Sequence, residues 1–158
     1  MMDLLNWIQD SALADWVRVS EWGYPIILTL HSLGLAFVVG MLLVIDLRIM
    51  GFVRALPLRA MRRLVVLVWW AFAVNLTTGC ILFTADAVKF FDSPTFRFKI
   101  LSIVLGMTVA IYFDRAVLKE SGMRSSDAAV PLPLKALAVF SVVIWIAAIS
   151  LGRYVAYE

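Results

Sequence analysis

The sequence predicts an all-α polytopic membrane protein, a four-transmembrane-helix bundle with an N-terminal amphipathic interfacial helix. Three observations carry this reading. Of the 158 residues, 63% are hydrophobic and 16% charged, against roughly 25% charged in a soluble domain. The mean hydropathy of +0.95 calls for an apolar solvent outside the protein as well as an apolar core inside it. The apolar residues also gather into four runs, each near the ~20 residues a helix needs to cross a bilayer. The length fits one domain, residues 1–158.

The first element is the amphipathic helix, about residues 3–22. Asp3 opens it, and Leu5, Ile8, Ala12, Trp16 and Val19 share one face, with Asn6, Gln9, Asp10 and Arg18 turned away. Trp7, Trp16 and Trp22 suit the headgroup region. The pattern fits a helix lying on the outer leaflet, and equally a cap packed on the loops. It does not read as a signal peptide, despite Ala-Leu-Ala at 12–14, because it has no basic stretch followed by a continuous apolar one.

The spans follow at about 25–47, 64–85, 98–118 and 134–155. Between the first two, 51–63 holds Pro57 and several arginines. Residues 86–97 hold Asp-Ser-Pro, in which Ser93 caps a helix carrying Pro94 in its first turn. Residues 119–133 are polar and end in Pro-Leu-Pro.

Orientation follows from the basic residues. Arg48, Arg54, Arg59, Arg62, Arg63, Arg115, Lys119, Arg124 and Lys135 fall on one side; Arg18, Lys89, Arg97, Lys99 and Arg153 fall on the other. Nine against five puts the first set in the cytoplasm and both termini outside. For a bacterial inner (cytoplasmic) membrane, outside is the periplasm. Asp3, Asp10, Asp15, Glu21, Asp86, Asp92 and Glu158 share the outer side.

Several functions are excluded. A formal charge of +3, scattered along the chain, gives nucleic acid no patch to bind. Cys80 is the single cysteine, so neither an intramolecular disulfide nor a thiolate cluster can form. No phosphate-binding glycine loop, Cys-x-x-Cys-His motif or nucleophile elbow occurs, and His31 is the one histidine. The chain does not read as an enzyme on its own.

Polar side chains inside a span are functional candidates because burying them costs free energy. His31 lies roughly 10 Å below the outer end of the first span at 1.5 Å per residue. Gly34, Val38, Met41 and Ile45 share its face. A buried imidazole can ligate haem, move a proton, or simply bond a neighbouring helix. Asn75, Thr78 and Gly79 form a small polar stripe in the second span; Ser102, Gly106 and Ala110 do so in the third. Arg97, Lys99 and Arg153 gather near the depth of His31, where they either snorkel to headgroups or hold carboxylates such as haem propionates. At the inner side, Asp46, Arg48, Asp114 and Arg115 suggest structural ion pairs, Asp46 with Arg115 or Asp114 with Arg48.

The motifs Leu30-His31-Ser32-Leu33-Gly34, Asp46-Leu47-Arg48-Ile49-Met50-Gly51, Asn75-Leu76-Thr77-Thr78-Gly79, Phe96-Arg97-Phe98-Lys99 and Gly152-Arg153-Tyr154 resemble those of a family of uncharacterised bacterial four-helix inner-membrane proteins, a domain of unknown function. The resemblance runs from the first span onward and implies fold and location without an activity.

The expected function is a small redox or cofactor-binding membrane subunit, with haem b or a quinone held by His31, Asn75, Lys99, Arg97 and Arg153. A six-coordinate haem then needs Met41, Met107 or a second chain. The rivals are an oligomeric proton or ion transporter using Asp46, His31, Asn75 and Asp114, and a structural or assembly subunit. The expected partners are the lipid bilayer and either further copies of the chain or a larger membrane complex.

Overall fold

The computed structural model describes residues 2–53, 55–118 and 130–157, with the side chains of 58–60 and 116–118 outside the description. Arg54, Lys119, Arg124, Glu158 and the side chain of Arg59, all used in the topology argument, lie outside the described residues.

The N-terminal amphipathic segment is two helices, α1 (Met2–Gln9) and α2 (Ala12–Val19). The single predicted helix is interrupted because the Ser11 hydroxyl accepts from the Ala14 N–H at 3.3 Å and starts a new helix. The four long helices are α3 (Gly23–Met50), α4 (Leu58–Ala85), α6 (Pro94–Tyr112) and α7 (Leu132–Tyr154), with the short α5 (Ala87–Asp92) before α6. α6 runs on as a wider π-helical turn, Phe113–Leu118, and α7 ends in a 3-10 turn, Val155–Tyr157.

Local chemistry sets these ends. Gly51, at φ 98°, takes the left-handed conformation that stops α3, and its N–H reaches the carbonyls of Leu47 and Arg48. Pro57 precedes α4. Ser93 caps α6 by accepting from the Phe96 N–H at 3.1 Å, with Pro94 in the first turn.

Gly23–Met50, Met61–Ala85, Pro94–Arg115 and Leu132–Tyr157 are long and apolar enough to cross a membrane. Only 17–28% of the most apolar stretch of each is buried inside the protein. Phe37, Trp70 and Phe98 are among the large side chains left outward. That much apolar surface is stable in hydrocarbon and costly in water, so the chain is an integral membrane protein.

The spans pack as two close pairs, α3 with α4 and α6 with α7, joined where α3 crosses α7. Val38, Leu42, Ile45 and Ile49 form the α3 stripe of the core, facing Val68, Phe113 and Trp145 among others. Glycines permit the closest approaches. A Cβ on Gly34 would stand 3.1 Å from the Asn75 Cβ, and one on Gly106 would stand 2.8 Å from the Trp145 ring. By contrast the α4 and α6 backbones stand apart along most of their length; α4 comes closer to the π-helical continuation of α6, and the Phe83 and Phe96 rings stack at the opposite end.

The two short helices dock on the α4–α5 corner. The Val88 N–H donates to Gln9 Oε1 at 3.2 Å, and Arg18 donates to the Gln9 carbonyl at 2.8 Å, to Asp15 at 2.6 Å and, at 3.5 Å, to the Ala85 carbonyl at the end of α4. Leu5, Ala14 and Val17 are buried in that contact, while Trp7, Trp16 and Trp22 stay outward.

Candidate functional site

His31, on α3, faces α4. Its Nδ1 lies 3.0 Å from the Asn75 backbone carbonyl and 3.1 Å from Thr78 Oγ1. In return, Asn75 Nδ2 donates to the His31 carbonyl at 3.2 Å. The tautomer follows from these partners. A carbonyl can only accept, and the single Thr78 hydroxyl proton has the Val74 carbonyl at 2.8 Å. Nδ1 therefore carries a proton and donates, which in the neutral imidazole leaves the Nε2 lone pair bare. No partner engages Nε2 among the described residues. The ring seats over Gly79, where a Cβ would stand 3.0 Å from His31 Cε1.

Beside the imidazole is a pocket of about 310 Å³. It occupies the gap between α4 and α6. Phe72, Leu76 and Phe83 form the α4 wall, Phe96, Ile100 and Val104 the α6 wall. His31, Leu35 and Val38 of α3 and Trp145 of α7 form its floor. Its polar lining residues include His31, Asn75 and Lys99, with the Cys80 thiol and the Trp145 indole also on the wall. Lys99 lies along Gly152, where a Cβ would come 3.3 Å from its Cε, and its Nζ sits 5.7 Å from the Phe96 ring centroid. No carboxylate lies within ion-pairing distance of Lys99 among the described residues.

Residues 5–158 match the family of unknown function DUF6644. The chain belongs to that family. No curated protein and no solved structure matches it.

In this DUF6644 chain, the residues singled out from sequence divide into two groups. His31, Asn75 and Lys99 share the pocket. Arg97 and Arg153 do not line it. Arg97 donates to the Phe91 carbonyl at 3.0 Å and 3.2 Å and covers the Phe91 ring, while Arg153 lies over Tyr157. Both are exposed at the end of the bundle that carries the chain termini, and each has turned to a carbonyl or ring there. Met41 and Met107, considered as second haem ligands, pack with the core instead of lining the pocket.

The inner charges are also served differently from the expected cross-pairs. Asp46, 2% exposed, lies beside the Ser141 hydroxyl, and its Oδ2 has no hydrogen-bond partner among the described residues. Arg48 donates through Nε to the Leu56 carbonyl at 2.7 Å. Arg115 is exposed, and Asp114 is half-buried and engaged. The α3–α7 crossing brings Ser141 to Asp46 and the chain reversal after Gly51 brings Leu56 to Arg48, and among the described residues neither expected cross-pair forms. The DUF6644 bundle shows no group of three or more His, Cys, Asp or Glu able to hold a metal ion among the described residues.

The aromatic lining had no signal in the sequence. Phe72, Phe83, Phe96 and Trp145 sit in apolar runs, where a pocket wall and a lipid-facing side chain read alike.

Proposed function

We propose that this protein is a small membrane subunit that holds a lipid-soluble redox cofactor beside His31. One observation carries the reading. The imidazole is fixed through Nδ1 to α4, and the nitrogen left bare belongs to a residue lining an apolar pocket. Orientation of one ring nitrogen by a backbone carbonyl is how proteins prepare the other for a ligand. Lys99, in the same pocket, supplies a cation for a carbonyl or anionic oxygen. Apolar walls with a few convergent polar groups are the ordinary construction of a small-molecule site.

The transport reading has less support, because Asp46 and Asp114 do not join His31 and Asn75 around the pocket. A purely structural role accounts for the His31–Asn75 bonds but not for a cationic side chain in the pocket. The charge pattern further supports insertion in a bacterial inner membrane with both termini periplasmic.

The test is the content of gently purified protein, read by its absorption spectrum and by chromatography of an organic extract. A stoichiometric cofactor is expected, lost in His31→Ala. Protein that is folded yet carries no haem, quinone or other redox-active molecule, and takes up none when supplied, would leave the packing role as the better account.

A further inference from the structure

Resting on the reading of the pocket as a cofactor site, we infer that its ligand is a quinol-class headgroup that enters sideways from the bilayer between α4 and α6. The path follows from the packing. The α4 and α6 backbones stand apart along most of their length, and the pocket lies in the gap between them. The outward rim residues Leu76 and Val104 are each 55% exposed, and both also line the pocket. Both ends are closed. At the outer end, Phe83, Phe90 and Phe96 stack with centroids 5.4–6.2 Å apart, and Phe90 belongs to α5, which is fastened to α1 through Gln9. At the inner end α4 meets the π-helical turn at Phe113–Leu118. A ligand reaching His31 therefore comes from the hydrocarbon, and its tail has an exit there.

The headgroup chemistry follows from His31 and Lys99, since the Asn75 amide already donates to the His31 carbonyl. His31 Nε2, with Nδ1 donating to α4, is an acceptor and requires a donor on the ligand. Lys99 is a donor only and requires an oxygen. A hydroxylated ring offers both: one hydroxyl hydrogen toward Nε2, one ring oxygen toward the ammonium. A quinone carbonyl satisfies Lys99 but gives Nε2 nothing, so the reduced form is preferred. A haem fits less well. The pocket, at about 310 Å³, is at the lower limit of the ~300–1,000 Å³ usual for ligand sites. Neither Met41 nor Met107 lines it as a second axial ligand, and neither arginine reaches it for a propionate.

The experiment titrates decyl-ubiquinol and decyl-ubiquinone into the purified full-length protein, followed by tryptophan fluorescence, since Trp145 lines the pocket. Saturable binding is expected, tighter for the quinol. Lys99→Met should weaken it on the order of tenfold or more, the effect of losing a hydrogen bond to a charged group. Val104→Trp, at an outward position, should block entry while leaving thermal stability unchanged. Quinol binding untouched by Val104→Trp in folded protein would overturn lateral entry. Tighter binding of the quinone would overturn the acceptor role of Nε2. A Soret band lost in His31→Ala, with no quinol binding, would overturn the quinol assignment and leave the cofactor site standing; the absence of any cofactor would remove both.

Discussion

Two glycines show how much a single position depends on its neighbours. Gly106 faces the Trp145 ring, and a Cβ there would lie at 2.8 Å. Gly40, in α3, has nothing within 4 Å of the same added atom. Gly106→Leu should lower the thermal midpoint in detergent by an amount corresponding to about 1–3 kcal/mol of overpacking. Gly40→Leu should leave it unchanged or raise it, since glycine inside a helix costs roughly 1 kcal/mol relative to alanine. Equal effects of the two would show that Gly106 does not hold α6 against α7. Asp46 makes a second case. It is buried beside Ser141 with one oxygen unpartnered among the described residues, so Asp46→Asn keeps its shape and its neighbour while removing a formal charge from the interior. Folded yield and thermal midpoint should hold or rise. A fall of several degrees would mean that an arginine, rather than Ser141, is the partner that matters.

Among the elements, α1 and α2 are the least secured. Their attachment to the rest of the chain uses few polar bonds, with Arg18 joining Gln9, Asp15 and the end of α4. Arg18→Ala removes these three and leaves the Val88 N–H to Gln9 bond in place. Hydrogen exchange should then accelerate across residues 2–19 while α3, α4, α6 and α7 keep their protection. No change in exchange would assign the docking to Leu5, Ala14 and Val17, which are buried in the same contact. A polar loss of this kind should also loosen Phe90, because Gln9 holds the start of α5 through the Val88 N–H. The short helices are thereby connected to the phenylalanine closure of the pocket.

For the whole molecule the open matter is its direction in the membrane. The antiparallel spans collect Arg48, Arg62, Arg63, Arg115 and Lys135 at one end of the bundle and Arg18, Lys89, Arg97, Lys99 and Arg153 at the other. With Cys80 replaced by alanine, a cysteine at Glu21 should react in intact cells with an impermeant thiol reagent, and one at Ala55 only after the cells are opened. Both positions are exposed in the structure. The opposite pattern would invert the topology and put the pocket's phenylalanine closure on the cytoplasmic side.

Composition and periodicity were sufficient for the class and the number of spans. In a bilayer every backbone group must be bonded within the segment, so a 20-residue apolar run has little choice but a helix. Ser93-Pro94 and Gly51 mark boundaries by local chemistry alone. His31, Asn75 and Lys99 stood out as polar residues in apolar surroundings, and they share one pocket. What the sequence could not supply was which helices separate. Arg97 and Lys99 are two residues apart, yet one turns to Phe91 and the other lines the pocket; Asp46 meets a serine ninety-five positions away in the chain. Those outcomes depend on how α3 crosses α7 and how far α4 stands from α6. Such spacings are set by side-chain packing across four helices at once, because lipid on the outside exerts no hydrophobic force to choose among the pairings.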